Sequence, residues 1–212
     1  DSIVAHLRED RRHIQDNDIK RLKEALKIRF NLEMSIEPEI VAMACRTRPD
    51  QVTLVPEKRQ ELTTEGGLDV VRNFKRLGVS CQKLADKGIE VSLFIDPVRA
   101  QIERTRDLGI TTIELHTGRY ADAATAGTRL KELKKLREMT KFARKLGMTV
   151  NAGHGLKYHN TLPVARIPGM QELNIGHSIM ARAVFVGLRQ AVEEMINITR
   201  GGSSKVQKSK RS

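Results

Sequence analysis

The sequence predicts an α/β fold in which short parallel strands alternate with amphipathic helices and wrap towards a barrel. Two observations carry this. Seven short segments, β-branched or Leu-rich, recur along the chain with helical patterns between them. Glycines then mark helix-to-strand junctions, Gly88 before Ile89, Gly109 before Ile110 and Gly147 before Met148, where a helix end favours a left-handed residue. The repeated order of helix, Gly, strand and polar loop argues for right-handed crossovers onto a parallel sheet. Seven such units in a domain-sized chain suit a TIM (β/α)8 barrel better than a doubly wound open sheet. No GxGxxG follows the first strand, which counts against a dinucleotide-binding version of the open sheet.

The strands are expected at residues 2–6, 29–34, 51–55, 90–95, 112–116, 149–152 and 172–175. A helix over 16–28 places Ile19, Leu22 and Leu26 on one face, and one over 38–48 turns Ile40, Val41, Ala44 and Cys45 inward. A long helix over 127–146 sets Leu130, Leu133, Leu136 and Phe142 against a Lys- and Arg-rich opposite side, and a last helix is expected over 178–199. The barrel domain therefore runs over residues 1–200. Residues 201–212, opening on Gly201-Gly202-Ser203-Ser204, are too polar and basic to bury a core and are expected to form a disordered tail.

The 212 residues suffice for one sizeable core. With 30% charged residues and no apolar run near the roughly 18 residues of a membrane span, no membrane partner is expected. Asp1 opens directly into a strand pattern with no signal-peptide signature, and the absence of an initiator Met points to a fragment or processed product. Cys45 and Cys81 lack metal-ligand spacing and read as reduced structural thiols, which fits a cytoplasmic protein. Part of the net charge of +12 sits in Lys205, Lys208, Lys210 and Arg211. The rest would steer anionic substrates towards a cleft. Aromatics are 3% and Trp is absent, so the stacking platforms of single-stranded nucleic-acid binders are lacking and no nucleic-acid partner is expected.

In parallel α/β folds chemistry sits at the carboxyl ends of the strands. Here each strand end delivers polar groups: His6-Leu7-Arg8, Glu33, Pro56-Glu57-Lys58-Arg59, Asp96, Glu114-Leu115-His116, Asn151-Ala152-Gly153-His154-Gly155 and Asn174-Ile175-Gly176-His177. A purely structural barrel has no need of this, so an enzyme leads. Gly-rich turns at the last two strand ends expose backbone N–H groups, and Gly176 precedes a helix, so a phosphate site is expected there; the plainer alternative is that these glycines only permit tight turns. Glu33 lies in an otherwise apolar strand, where burial would raise its pKa into the range of a general base. His6 and His154 are proton-exchange candidates. Each is also open to a plainer role, Glu33 as an ion-pair partner and the histidines as hydrogen-bonded structural residues. Arg8, beside His13, could grip a phosphate with two N–H groups. The histidines show no HxxxH or HExxH spacing, so no metal is expected.

Long segments at these positions resemble a known family. They include His6-Leu7-Arg8-Glu9-Asp10-Arg11-Arg12-His13, Asn31-Leu32-Glu33-Met34, Val55-Pro56-Glu57-Lys58-Arg59, Thr63-Thr64-Glu65-Gly66-Gly67, Ile113-Glu114-Leu115-His116-Thr117-Gly118, Asn151-Ala152-Gly153-His154-Gly155 and Glu172-Leu173-Asn174-Ile175-Gly176-His177. In this order they resemble the pyridoxine 5′-phosphate synthase family. The resemblance implies a condensation of 1-deoxy-D-xylulose 5-phosphate with 3-amino-2-oxopropyl phosphate, without metal or organic cofactor, in a homo-oligomer. It implies proton acceptors at His6 and Glu33 and a proton donor at His154. The deoxyxylulose phosphate would lie on Arg8, His13 and Thr63, and the amino-ketone phosphate on Gly155, Gly176 and His177, with Glu114 a further polar member of the pocket. The family pattern begins with one more strand and helix than this sequence shows, so an open seam is expected. If these residues were the whole molecule, activity would be weak or absent, and an inactive barrel serving as an assembly subunit or regulator is the second reading.

Overall fold

The computed structural model describes residues 2–56 and 66–201; Thr63 and the tail beyond Gly201 lie outside the described residues. Seven strands, all parallel, are hydrogen-bonded in sequence order. They are β1 (Ser2–Leu7), β2 (Arg29–Met34), β3 (Gln51–Leu54), β4 (Glu90–Ile95), β5 (Thr112–His116), β6 (Thr149–Gly153) and β7 (Met170–Asn174). The helices are α1 (Asp16–Ala25), α2 (Pro38–Thr47), α3 (Val70–Ala85), α4 (Arg99–Asp107), α5 (Gly118–Ala121), α6 (Ala126–Lys145), α7 (Thr161–Ala165), α8 (His177–Val186) and α9 (Leu188–Thr199). Each expected strand is present. The helix-ending glycines Gly88, Gly109 and Gly147 hold φ of +73°, +78° and +76°, values that L side chains rarely adopt.

Alternation along the strands separates two environments. One face of each strand supplies Leu7, Phe30, Leu32, Met34, Leu54, Leu93, Ile95, Ile113, Leu115 and Val150 to a single apolar cluster, joined by Ile19, Ile40, Leu77, Leu84, Ile102 and Leu136 from the helices. Each such side chain contributes about 1.5–3 kcal/mol on burial, so the helix–sheet layer holds the fold together. The opposite face is polar: Asn31 and Glu33 on β2, Thr53 on β3, Ser92 on β4, Glu114 on β5, Asn151 on β6 and Glu172 on β7. It is also concave. Asn174 Nδ2 on β7 donates to Glu114 Oε2 on β5 at 2.6 Å, across the intervening strand. The Glu33 charge on β2 acts on Glu114 three strands away. Only a strongly curled sheet brings these together. Among the described residues β1 and β7 form the two edges, so the sheet is a TIM-like barrel open along one seam.

Two expectations need correction. The single helix over 178–199 is two helices, α8 and α9, because Gly187 adopts φ +82° and ψ 153° and turns the chain between them. The last strand starts at Met170, whose N–H bonds Ile167 O at 3.0 Å in the turn through Gly169. None of the α8 side chains is fully buried, and Val184 and Phe185 are 83% and 84% exposed. Cys45 and Cys81 are both free, and burial pushes the Cys81 thiol up to about 11, which keeps it unreactive.

The loop that follows residue 65 re-enters the fold through a capped helix. Asp69 accepts from Arg72 N at 3.1 Å, while Gln101 of α4 donates to Asp69 and accepts from Val70 N at 2.7 Å. Asp69→Ala is expected to cost about 1–2 kcal/mol and lower the melting temperature by a few degrees. Thermal unfolding monitored by circular dichroism measures this; an unchanged midpoint would count against the cap.

Candidate active site

The site begins where β1 and β2 end side by side. His6 pairs in register with Glu33, and its Nδ1 lies 3.7 Å from Glu33 Oε2. Burial, then the positive charges of Arg8 and His13, pull the His6 imidazole down to about 4, so it is neutral at physiological pH and able to take a proton. Burial raises Glu33 to about 7, the direction expected from its apolar strand. A quarter of its side-chain surface, 26%, still reaches the barrel mouth. Arg8 is 8% exposed, with Nε 3.7 Å from Asp10. Arg11 secures the loop bearing these cations, through Asp16 at 2.8 Å and Glu39 at 3.2 Å. His13 is exposed, and its charge acts on His6. The structure therefore brings His6, Arg8, His13 and Glu33 together.

Glu114 occupies the middle of the concave face. It is 2% exposed, takes the Asn174 hydrogen bond, and is pushed up to about 8, first by burial and then by the negative charges of Glu33 and Glu172. Glu33 and Glu114 thus titrate as a pair near neutral pH. Space for the Glu114 carboxyl comes from Gly153, where a Cβ would stand 2.0 Å from Oε1. The sequence offers Glu114 as a further polar member of the pocket; in the structure it stands on the concave face between β4 and β6.

The remaining groups lie at the last two strand ends. His154 follows β6 with φ +75°, a left-handed conformation uncommon outside glycine. Thr117 Oγ1 lies 2.7 Å from Gly153 O and 2.5 Å from His154 O, so one buried hydroxyl bridges both carbonyls. Burial and then His116 hold the His154 imidazole below its ordinary value, with Asp122 opposing. Gly155 has φ +78°, and a Cβ there would meet Ala121 Cβ at 2.7 Å. Gly176 is the N-cap of α8 and His177 its first residue. Ser178 Oγ donates to Leu156 O at 2.9 Å, tying the start of α8 to the loop that carries His154 and Gly155. These form a second locus, with open backbone at Gly176.

Sequence reasoning gives no role to Asn174 or to the Asp96–His116 pair, whose Oδ1 and Nδ1 are 3.0 Å apart. The signal available is spacing: Glu114 and His116, like Glu172 and Asn174, stand two residues apart and share a face. Among the described residues no cluster of three or more His, Cys, Asp or Glu side chains is arranged to hold a metal ion, and no helix is long and apolar enough to cross a membrane.

A parallel barrel whose strand ends gather carboxyls raised towards neutral pH beside imidazoles, with open backbone at a helix start, defines a barrel enzyme. The chain belongs to the family described as pyridoxal phosphate biosynthesis protein PdxJ, whose model matches residues 1–201. It is 55% identical over 195 residues to a pyridoxine 5′-phosphate synthase of Alcanivorax borkumensis, covering 92% of this chain and 80% of that one. A protein of the same name from a Synechococcus strain is 56% identical, with 92% and 78% covered. Among solved structures, 3-keto-L-gulonate-6-phosphate decarboxylase from Vibrio cholerae matches with a TM-score of 0.63 at 18% identity, covering 93% of this chain and 85% of that one. A KGPDC from Streptococcus mutans matches at 0.64 and 15% identity, with 94% and 85% covered. At these identities the structural likeness speaks for the barrel fold alone.

Proposed function

We propose that the chain condenses 1-deoxy-D-xylulose 5-phosphate with 3-amino-2-oxopropyl phosphate to pyridoxine 5′-phosphate, releasing inorganic phosphate and water. The observation that carries this is the meeting, at one barrel mouth, of a neutral His6 with two carboxyls, Glu33 and Glu114, that titrate near neutral pH. The amine of the amino-ketone attacks the ketone of the sugar phosphate and water leaves to give an imine. Phosphate is eliminated, a carbon of the sugar skeleton made nucleophilic by proton removal attacks the ketone of the second substrate to close the ring through a new C–C bond, and loss of water aromatises it. Each step is a condensation, proton transfer or elimination, so this reading includes no metal or organic cofactor. His6 and Glu33 accept protons and His154 returns one to a leaving oxygen. Arg8 and His13, with Thr63, hold the sugar phosphate. Gly155, Gly176 and His177 hold the amino-ketone phosphate, supported by the N–H groups at the start of α8. Glu114 supports charge redistribution between them.

The same reading makes the protein a cytoplasmic homo-oligomer acting on small phosphorylated molecules rather than on nucleic acid. The reduced cysteines support the compartment, and the exposed Val184 and Phe185 support self-association. Phosphate release from the two substrates tests the activity in the full chain. Glu33→Gln is expected to lower kcat by about a hundredfold or more with its circular dichroism spectrum unchanged. Unchanged turnover would reject Glu33 as the base.

A further inference from the structure

Three rings meet where β4, β5 and β6 end. The Phe94 and His116 centroids lie 5.1 Å apart and those of His116 and His154 5.0 Å apart, with interplanar angles of 63° and 67°. His116 is 6% exposed, and its Nδ1 faces Asp96 Oδ1 at 3.0 Å. Asp96 also accepts from Gly67 N at 3.2 Å, so its carboxylate is fixed from two directions. The bond to His116 is the main reason the Asp96 carboxyl titrates below its usual range. A carboxylate only accepts hydrogen bonds, so the proton of this contact sits on Nδ1. The opposite nitrogen, Nε2, is buried and has no hydrogen-bond partner among the described residues. It faces Gly118, where a Cβ would stand 2.5 Å away, and a Cβ on Gly155 would lie 3.6 Å from Gly118 Cα. Two glycines thus keep side chains out of the ground between His116 Nε2 and the loop of His154.

We propose that Asp96 and His116 form a positioning pair for His154, in which Asp96 fixes the tautomer and plane of His116 and the edge-on His116 ring fixes the plane of His154. The proposal rests on His154 being the proton donor. A second contact from the same strand end supports it. Thr117, the residue after His116, holds the strained backbone of His154 through the hydroxyl that bridges Gly153 O and His154 O. The end of β5 therefore grips His154 twice, at its ring and at its carbonyl. The charge His116 carries when protonated disfavours a second positive charge on His154. A donor held this way passes on a proton readily once it has gained one. Among the described residues, the other charged groups facing the cluster are Asp122 beside His154, and Arg119, Glu132 and Lys135, which line a small cavity with Asp96 and His116.

The test compares His116→Phe, His154→Asn and the double variant in the full chain with both substrates. His116→Phe is expected to lower kcat about tenfold, to leave both KM values within about twofold, and to move the His154 limb of the pH–kcat/KM profile upward. In the His154→Asn background it is expected to cost nothing further. A costly His154→Asn with a silent His116→Phe would overturn the pairing, as would an equal loss in both backgrounds. Wild-type turnover in His154→Asn would instead remove the donor assignment. The pairing is then decided by the His154 ring titration followed by NMR, where an upward midpoint in His116→Phe supports it and an unchanged one overturns it. Should His116→Phe fail to fold, Asp96→Asn keeps shape and acceptor while removing the charge. It is expected to lower kcat several-fold in the wild-type background and to cost nothing further in His154→Asn, and an equal loss in both backgrounds, or no loss in either, would overturn the proposal.

Discussion

Gly153→Ala is expected to lower kcat/KM by about a hundredfold or more while leaving a folded protein. The added methyl would sit 2.0 Å from Glu114 Oε1 and 3.1 Å from the backbone oxygen of Asn174. The backbone oxygen cannot retreat, so the carboxyl must. Glu114 is almost wholly buried and its other oxygen is held by Asn174 Nδ2. Any shift therefore strains or breaks that hydrogen bond. Overpacking of this kind costs about 1–3 kcal/mol, a drop of several degrees in melting temperature for a chain of this length. If Glu114 lines the pocket as proposed, its displacement by a fraction of an ångström costs far more in rate than in stability. Steady-state kinetics beside a melting curve separates the two. Wild-type kcat/KM in this variant would show that the placement of Glu114 does not matter to turnover.

Glu114→Gln is expected to stabilise the protein at alkaline pH while impairing it as an enzyme. Folding raises the Glu114 pKa from an ordinary 4.5 to about 8. Between those values the folded chain binds a proton that the unfolded chain lacks. The stability from this protonated form is complete below about pH 4.5 and is lost as pH rises through about 8. Glutamine has the same shape and no charge to expel, so the loss disappears. One pKa unit corresponds to about 1.4 kcal/mol, but Glu33 and Glu114 share the burden, and a gain of about 2 kcal/mol at pH 9 is expected. That raises the melting temperature by about 4–8 °C, and the difference shrinks towards zero near pH 5. Melting curves of both proteins at the two pH values decide it. Equal midpoints at pH 9 would mean that the carboxylate meets no penalty in the folded state. A buried carboxyl that weakens the fold at alkaline pH is the trade expected of an active site.

Much of this is legible in the sequence because period-two strands and helix-ending glycines are local signals. Strand existence, strand ends and the raised pKa of Glu33 all follow from a few neighbouring residues. What stays hidden depends on curvature. Glu114 and Asn174 are 60 positions apart, and nothing short of the curled sheet says that they touch. The void at Gly153 is equally silent, since a glycine in a strand does not announce whose atoms fill its missing side chain. Gly187 gives no warning either, because an apolar, helix-forming stretch continues on both sides of it. The apolar side chains of α8 suggest a place in the core, but none is fully buried. Hydrophobic content shows that a surface wants cover without saying which surface supplies it.

The two-faced strands have one more consequence. Leu32 and Glu33, or Glu114 and Leu115, are neighbours in the chain but look into opposite media. A slip of one residue in any pairing would drive carboxyls among the helices and leave leucines facing the polar interior of the barrel. In most proteins only the oily half of a strand penalises such an error. Here the polar half penalises it too, because carboxyls stranded in the apolar layer would have to shed water without gaining a partner. The groups assigned to chemistry thus also proofread the alignment of the strands, and a variant that exchanged them all for aliphatics would lose one of the two signals that tell each strand where to stop sliding.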